Sequence, residues 1–186
     1  LFRSDPRCSV HIIGCTGDWF GGWDGLVPGD PDRFITADLQ SGRMVDVIDS
    51  GQPAIMVCHW PGIYYNGTKL GFNIFKTAVE RIHAAYDNVI WLKLCEISRY
   101  WAAKELTEIR SRQNAIHFKA PFASPMYTVH FSAPENSTPK IQIKGETKPL
   151  QRVNHCLKLD NNTWTREGDK VMVCFDLPKG DSTIVW

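Results

Sequence analysis

The sequence predicts an α/β protein: a partial (β/α) barrel-like parallel sheet over residues 1–113, followed by a small antiparallel, sandwich-like β domain over 114–186. Three observations predict it. Up to about residue 112, apolar runs of strand length alternate with segments of helical period. After Asn114 the helical period disappears and short, often alternating apolar runs replace it. In that second part Pro134, Pro139, Gly145, Pro149, Gly168 and Gly180 punctuate the chain at close intervals.

The elements follow in order. Residues 9–15 read as a first strand, with Val10, Ile12 and Ile13 as its apolar core, running into a Gly-, Trp- and Asp-rich loop over 16–25. The stretch 33–50 is expected to be helical in part, stopped by Gly51 with Pro53 two residues beyond. Residues 53–60 form a continuous Ile/Val-rich apolar run bounded by Gly and Pro, the pattern of a strand buried on both faces. Between 71 and 86, Phe72, Phe75, Val79, Ile82 and Tyr86 recur at three- and four-residue steps, which predicts an amphipathic helix. A third strand is read over 88–94 and a last helix over 96–112, with Ile97, Trp101 and Ile109 near one face. The order β-α-β-α-β-α demands a parallel sheet with right-handed crossovers. In the tail, strands are expected over 116–119, 127–131, 141–144, 153–159, 171–177 and 183–186.

Composition narrows the function classes. A chain of 186 residues that is 43% hydrophobic can bury a sizeable core. A formal net charge of +1, with Lys and Arg scattered, speaks against a nucleic-acid partner. No apolar run is long enough to span a membrane. The six cysteines show no metal-knuckle spacing, and Cys58 and Cys174 sit inside apolar runs where a thiol behaves as a small hydrophobe. Asn66, Asn136 and Asn161 each open a glycosylation sequon. The compartment is left open by these signals, with an extracellular or periplasmic one favoured.

In parallel βα architectures reactive groups lie on the loops after the strands. That rule singles out Asp18, Trp19, Trp23 and Asp24 after the first strand, His59, Trp60, Tyr64 and Tyr65 after the second, and Glu96 after the third. His59 ends an apolar strand, where an imidazole can emerge into a cleft and move protons near neutrality. Its structural alternative is a partly buried ring bonded to a backbone carbonyl. Asp18 reads equally as a turn-forming carboxylate, and Glu96 as a helix N-terminal carboxylate facing the dipole. Seven Trp and five Tyr make an aromatic-rich chain. Trp19, Trp23, Trp60 and Tyr64 in rim loops suit a sugar-lined cleft, where C–H faces stack on rings and hydroxyls find polar neighbours; packing across the end of the sheet is the alternative.

The run Pro53-Ala54-Ile55-Met56-Val57-Cys58-His59-Trp60, the helix over 71–86, the strand Asn88-Val89-Ile90-Trp91-Leu92-Lys93-Leu94 and the helix from Glu96 resemble the last part of polysaccharide deacetylases, the NodB-homology family. The likeness covers roughly residues 8–112. It implies that His59 is the general acid that protonates the leaving group. Thr16-Gly17-Asp18-Trp19 resembles the family's Asp-Trp motif, whose carboxylate tunes that histidine and whose indole lines the pocket. The family's opening motifs, an Asp base, a metal-binding Asp and an H-x-x-x-H pair, do not occur in this sequence. Three βα units also cannot close an eight-stranded barrel. The economical expectation is the C-terminal portion of a longer polypeptide, with the missing N-terminal half as its partner and a glycan as substrate. No metal ligands are recognised here, and a divalent metal such as zinc is expected only where the N-terminal motifs are present. The implied reaction is hydrolysis of an N- or O-acetyl group. Two other classes stay open: a glycoside hydrolase barrel with a C-terminal β-sandwich, using a carboxylate pair among Asp18, Asp24 and Glu96, and a non-catalytic glycan-binding module.

Overall fold

The computed structural model describes residues 10–22 and 27–186, and the chain divides into two compact units, one of them His11–Trp91, the other including Leu92–Trp186. It is a mixed α/β chain of helices and sheets.

His11–Trp91 contains helices α1 (Arg43–Asp49), α2 (Trp60–Tyr64) and α3 (Leu70–Ala85), with a 3-10 turn at Pro31–Arg33. The turn starts because Asp30 accepts a bond from the Asp32 backbone N–H at 2.9 Å, and Pro31 supplies a helical φ at no hydrogen-bonding cost. Arg81 of α3 ties down the turn, donating to Asp32 Oδ1 and to the Ile35 carbonyl, both at 2.7 Å. Helix α1 stops at Ser50, and Gly51 follows with φ +71°, a conformation glycine adopts without strain. Phe20, Phe34, Ile35, Met44, Ile74, Ala78 and Ile82 form the core of this unit. Helix α3 lies close to its expected span, but it buries Gly71, Ile74, Ala78 and Ile82 and leaves Phe72 and Phe75 exposed. The small residues win the inward face because they let the helix backbone come close.

The expected parallel sheet does not form among the described residues. The segments over 9–15, 53–60 and 88–94 contain no strand in their described parts. Segments 10–16 and 53–59 do meet, through one backbone bond and two side-chain acceptors. Cys15 N–H donates to the Ile55 carbonyl at 3.2 Å, the Ile55 N–H donates to Cys15 Sγ at 3.1 Å, and the Val57 N–H donates to Thr16 Oγ1 at 2.9 Å. A thiol and a hydroxyl occupy places where a ladder needs carbonyls, so the pairing does not propagate. Residues 88–92 have no strand partner, and Ile90 is 78% exposed.

The second unit opens with helix α4 (Leu94–Leu106) and continues as nine strands. The helix expected over 96–112 ends at Leu106, because Glu108–Arg112 is strand β1, paired antiparallel with β2 (Ala115–Ala120) across a two-residue turn. One sheet has the order β1-β2-β9-β4-β5, with β4 Lys140–Ile143, β5 Glu146–Pro149 and β9 Gly180–Val185. The other has the order β3-β8-β7-β6, with β3 Ser124–Ser132, β6 Gln151–Arg152, β7 Thr163–Glu167 and β8 Lys170–Leu177. All pairings are antiparallel except the two-residue β6–β7 contact. The sheets share one core: Ile116, Phe118, Ile141 and Ile184 from the first meet Tyr127, Trp164, Val173 and Phe175 from the second. Phe118 and Phe175 touch edge to face at 5.4 Å. In place of the strand expected over 153–159 there is a 3-10 turn, Cys156–Lys158, capped by His155 Nδ1 accepting the Leu157 N–H at 3.2 Å. Strands β5 and β7 were not expected from the pattern.

Candidate active site around His59 and Asp18

His59 is the extended N-cap residue of α2, with φ −112° and ψ 145°. Pro61 at the start of the helix disfavours a helical conformation for the residue before it and helps turn the chain out of the extended segment 53–59. Asp18 sits in the loop that leaves segment 10–16. The two side chains meet: His59 Nδ1 lies 2.6 Å from Asp18 Oδ2. The imidazole is 56% exposed, whereas the carboxylate is only 14% exposed.

Three glycines let the elements that carry this pair approach one another. A methyl group on Gly62 would lie 2.7 Å from the Gly22 carbonyl oxygen, and one on Gly71 would lie 2.3 Å from the Gly62 oxygen and 2.7 Å from that of Phe20. Gly21, at φ +152°, has room for only 2.9 Å to the same Gly62 oxygen. The loop carrying Asp18 therefore packs backbone to backbone against the start of α2, which carries His59, and against the start of α3. That is close approach of a kind only glycine permits.

An ionised carboxylate only accepts, so in a contact with ionised Asp18 it is Nδ1–H that donates, and Nε2 is the ring nitrogen outside this bond. The second oxygen, Asp18 Oδ1, is shielded from solvent and has no hydrogen-bond partner among the described residues. A buried unpartnered carboxylate oxygen is costly, and native proteins keep few such groups. Cys58, beside this pair, is exposed rather than the buried hydrophobe expected from its apolar run. Partial burial and then the Asp18 charge push its thiol above the usual range, so it remains protonated near neutrality and supplies no thiolate nucleophile. No signal in the sequence placed it there.

The aromatic residues part company. Trp60 and Tyr64 stack on one another at 5.8 Å, and Trp60 is 73% exposed beside His59. Trp19 instead packs edge-on against Phe34 at 5.2 Å with the Arg33 guanidinium over its ring at 5.5 Å, so it belongs largely to the core of its unit. Trp23 and Asp24 lie outside the described residues. Glu96 is in the other unit and its Oε2 accepts the Lys93 N–H at 2.7 Å at the start of α4. That accounts for its carboxylate locally. Among the remaining histidines, His83 accepts from Trp91 Nε1 at 3.0 Å and His117 bonds Thr183 Oγ1 at 3.0 Å.

Among the described residues no three His, Cys, Asp or Glu side chains form a group able to hold a metal ion, so a divalent ion does not fit on these residues alone. Nor is any described helix long and apolar enough to cross a membrane. Cys15, Cys58, Cys95, Cys156 and Cys174 are free thiols. Comparison with protein-family models, with curated proteins and with solved structures finds no match for this chain.

Proposed function

We propose that this chain carries the acid–base portion of a hydrolase that removes N- or O-acetyl groups from a glycan, on the sequence resemblance of residues 8–112 to polysaccharide deacetylases. The observation that carries the proposal is the 2.6 Å contact between His59 Nδ1 and Asp18 Oδ2. Deacetylation needs a group that gives a proton to the leaving amine or alcohol as the acyl bond breaks. A carboxylate that holds Nδ1–H fixes the imidazole in one tautomer and one orientation, and Nε2 then delivers that proton. Asp18 is the positioning residue, and His59 is the group that meets the substrate. The exposed Trp60–Tyr64 stack beside it offers a face for a sugar ring.

The family's metal would supply activation of the attacking water. Its ligands would come from polypeptide beyond the residues described, the missing N-terminal half implied by the resemblance. The reading gives His59 and Asp18 their roles without requiring a metal on this chain's described residues.

Acetate release from an N-acetylglucosamine oligomer tests the proposal in the complete protein. His59→Ala is expected to lower turnover by a factor of about 100 or more, the usual loss of a general acid. Asp18→Asn is expected to lower it comparably while the KM for the oligomer changes little, because the wrong tautomer impairs proton delivery and not binding. Unchanged turnover in His59→Ala refutes the role. Glycoside cleavage in place of acetate release points to the glycosidase class, and oligomer binding that survives His59→Ala without turnover in any form points to a binding module.

A further inference from the structure

A cleft of about 470 Å³ opens in the second unit, between the connection from β3 to β4 and the end of β9. It shares no residue with the His59 site. Its size falls in the range of small-ligand sites, roughly 300–1,000 Å³. Pro134 and Trp186 give it apolar wall, and Asn136, Ser137, Thr138 and Lys140 give it polar wall.

Two features set this cleft apart from an ordinary groove. The first is that its frame is pre-formed. Arg166 donates to the Ala133 carbonyl at 3.0 Å and to the Pro134 carbonyl at 2.8 Å, and the Ser137 N–H closes a turn onto the Pro134 carbonyl at 2.9 Å. On the other wall, Trp186 stacks on Phe131 at 4.5 Å, and its backbone N–H is bonded to the Asn114 carbonyl at 3.2 Å. A wall ordered before binding spares the ligand the entropy of ordering it. The second feature is a rim of polar side chains turned mostly to solvent. Among the described residues the side chains of Asn136, Ser137, Thr138 and Lys140 make no hydrogen bond or ion pair within the protein. The Trp186 indole Nε1–H is shielded from solvent and also lacks an acceptor. A buried unpaired donor is costly to a folded chain.

We infer that this cleft is a second carbohydrate site, one that binds a pyranose oligosaccharide without acting on it. A sugar presents an apolar C–H face and a rim of hydroxyls that both donate and accept. The indole and proline wall suits the face. An amide, two hydroxyls and an ammonium suit the rim, and together they offer both donors and acceptors. No carboxylate lines the cleft, so nothing in it has the makings of an acid–base pair. The inference stands whether or not the His59 site deacetylates.

Calorimetric titration of the full chain with two probes, an N-acetylglucosamine hexamer and a glucose hexamer, tests it. At least one hexamer is expected to bind. Trp186→Ala is expected to weaken that binding about tenfold or more, the scale of losing an aromatic stacking partner. The double variant Asn136→Ala/Ser137→Ala removes only groups with no partner in the protein and is expected to weaken binding several-fold at unchanged melting temperature. It decides the matter if Trp186→Ala fails to fold. Failure of both hexamers to bind overturns the inference. So does binding that ignores both cleft variants, or binding abolished by Trp60→Ala alone, which would assign it to the first unit. Acetate release is a separate readout, so failure here leaves the deacetylase proposal where it stood.

Discussion

Between His11 and Trp91 the extended segments touch through one backbone bond, a thiol and a hydroxyl, and glycines let backbone rest on backbone. From Glu108 onward the chain is organised by ladders, and large side chains from two sheets meet in one core. The same sequence therefore uses two ways of closing an interior. One adds to a core around Phe20 and Phe34 a seam where side chains are left out, and the other relies on fitting them together. The difference teaches where each unit is vulnerable: the second to loss of volume, the first to its gain.

The largest expected effect breaks the second unit. Phe175 is fully buried and meets both Phe118 and Tyr127. Phe175→Ala is expected to cost about 3–5 kcal/mol, measured by denaturant unfolding. The next effect breaks the first unit in the opposite sense. Gly71 lies within α3, where an alanine would ordinarily stabilise by up to about 1 kcal/mol. Gly71→Ala is instead expected to destabilise by about 1–3 kcal/mol, because the added methyl meets two carbonyl oxygens. A gain in stability would remove the glycine account of this close approach.

The smallest effect sharpens the comparison by pH. Tyr86 donates to Asp49 Oδ1 at 2.8 Å, and burial, together with that bond and the nearby carboxylate charge, pushes its hydroxyl from 10.0 up to about 12. Folding keeps the proton on. Below pH 10 both states hold it and the contribution to stability is complete. As pH rises from 10 to about 12 the unfolded chain ionises first, and the contribution is lost. Tyr86→Phe is expected to flatten that alkaline decline in His11–Trp91, followed by hydrogen exchange at the α1 and α3 amides. An unaltered pH profile would deny the bond its role.

How much of this was legible beforehand follows from the same physics. The span of α3 could be read from the three-and-four spacing of Ile82 and its neighbours. Its buried face could not, because Phe72 and Phe75 dominate any hydrophobic pattern while Gly71 and Ala78 do the close packing. The run over 53–60 was legible as extended and apolar. Its pairing was not, since nothing in a residue pattern shows that Cys15 and Thr16 side chains will take the places of ladder carbonyls. Strand β5 escaped notice because Glu146, Lys148 and Pro149 are exposed and make it look like a loop, and β7 because Thr163 and Thr165 bury hydroxyl-bearing side chains. The meeting of His59 with Asp18 was foreseeable because each follows an apolar run. The inward turn of Trp19 was not, because a loop tryptophan can face either way.

The three-glycine contact has one more consequence. The approach of these backbones rests on methyl groups that are not there, and a missing atom cannot be trimmed further. Any side chain added at Gly21, Gly62 or Gly71 meets backbone and drives the segments apart. Trp60 and Tyr64, whose rings are exposed, are the positions where substitution meets least resistance.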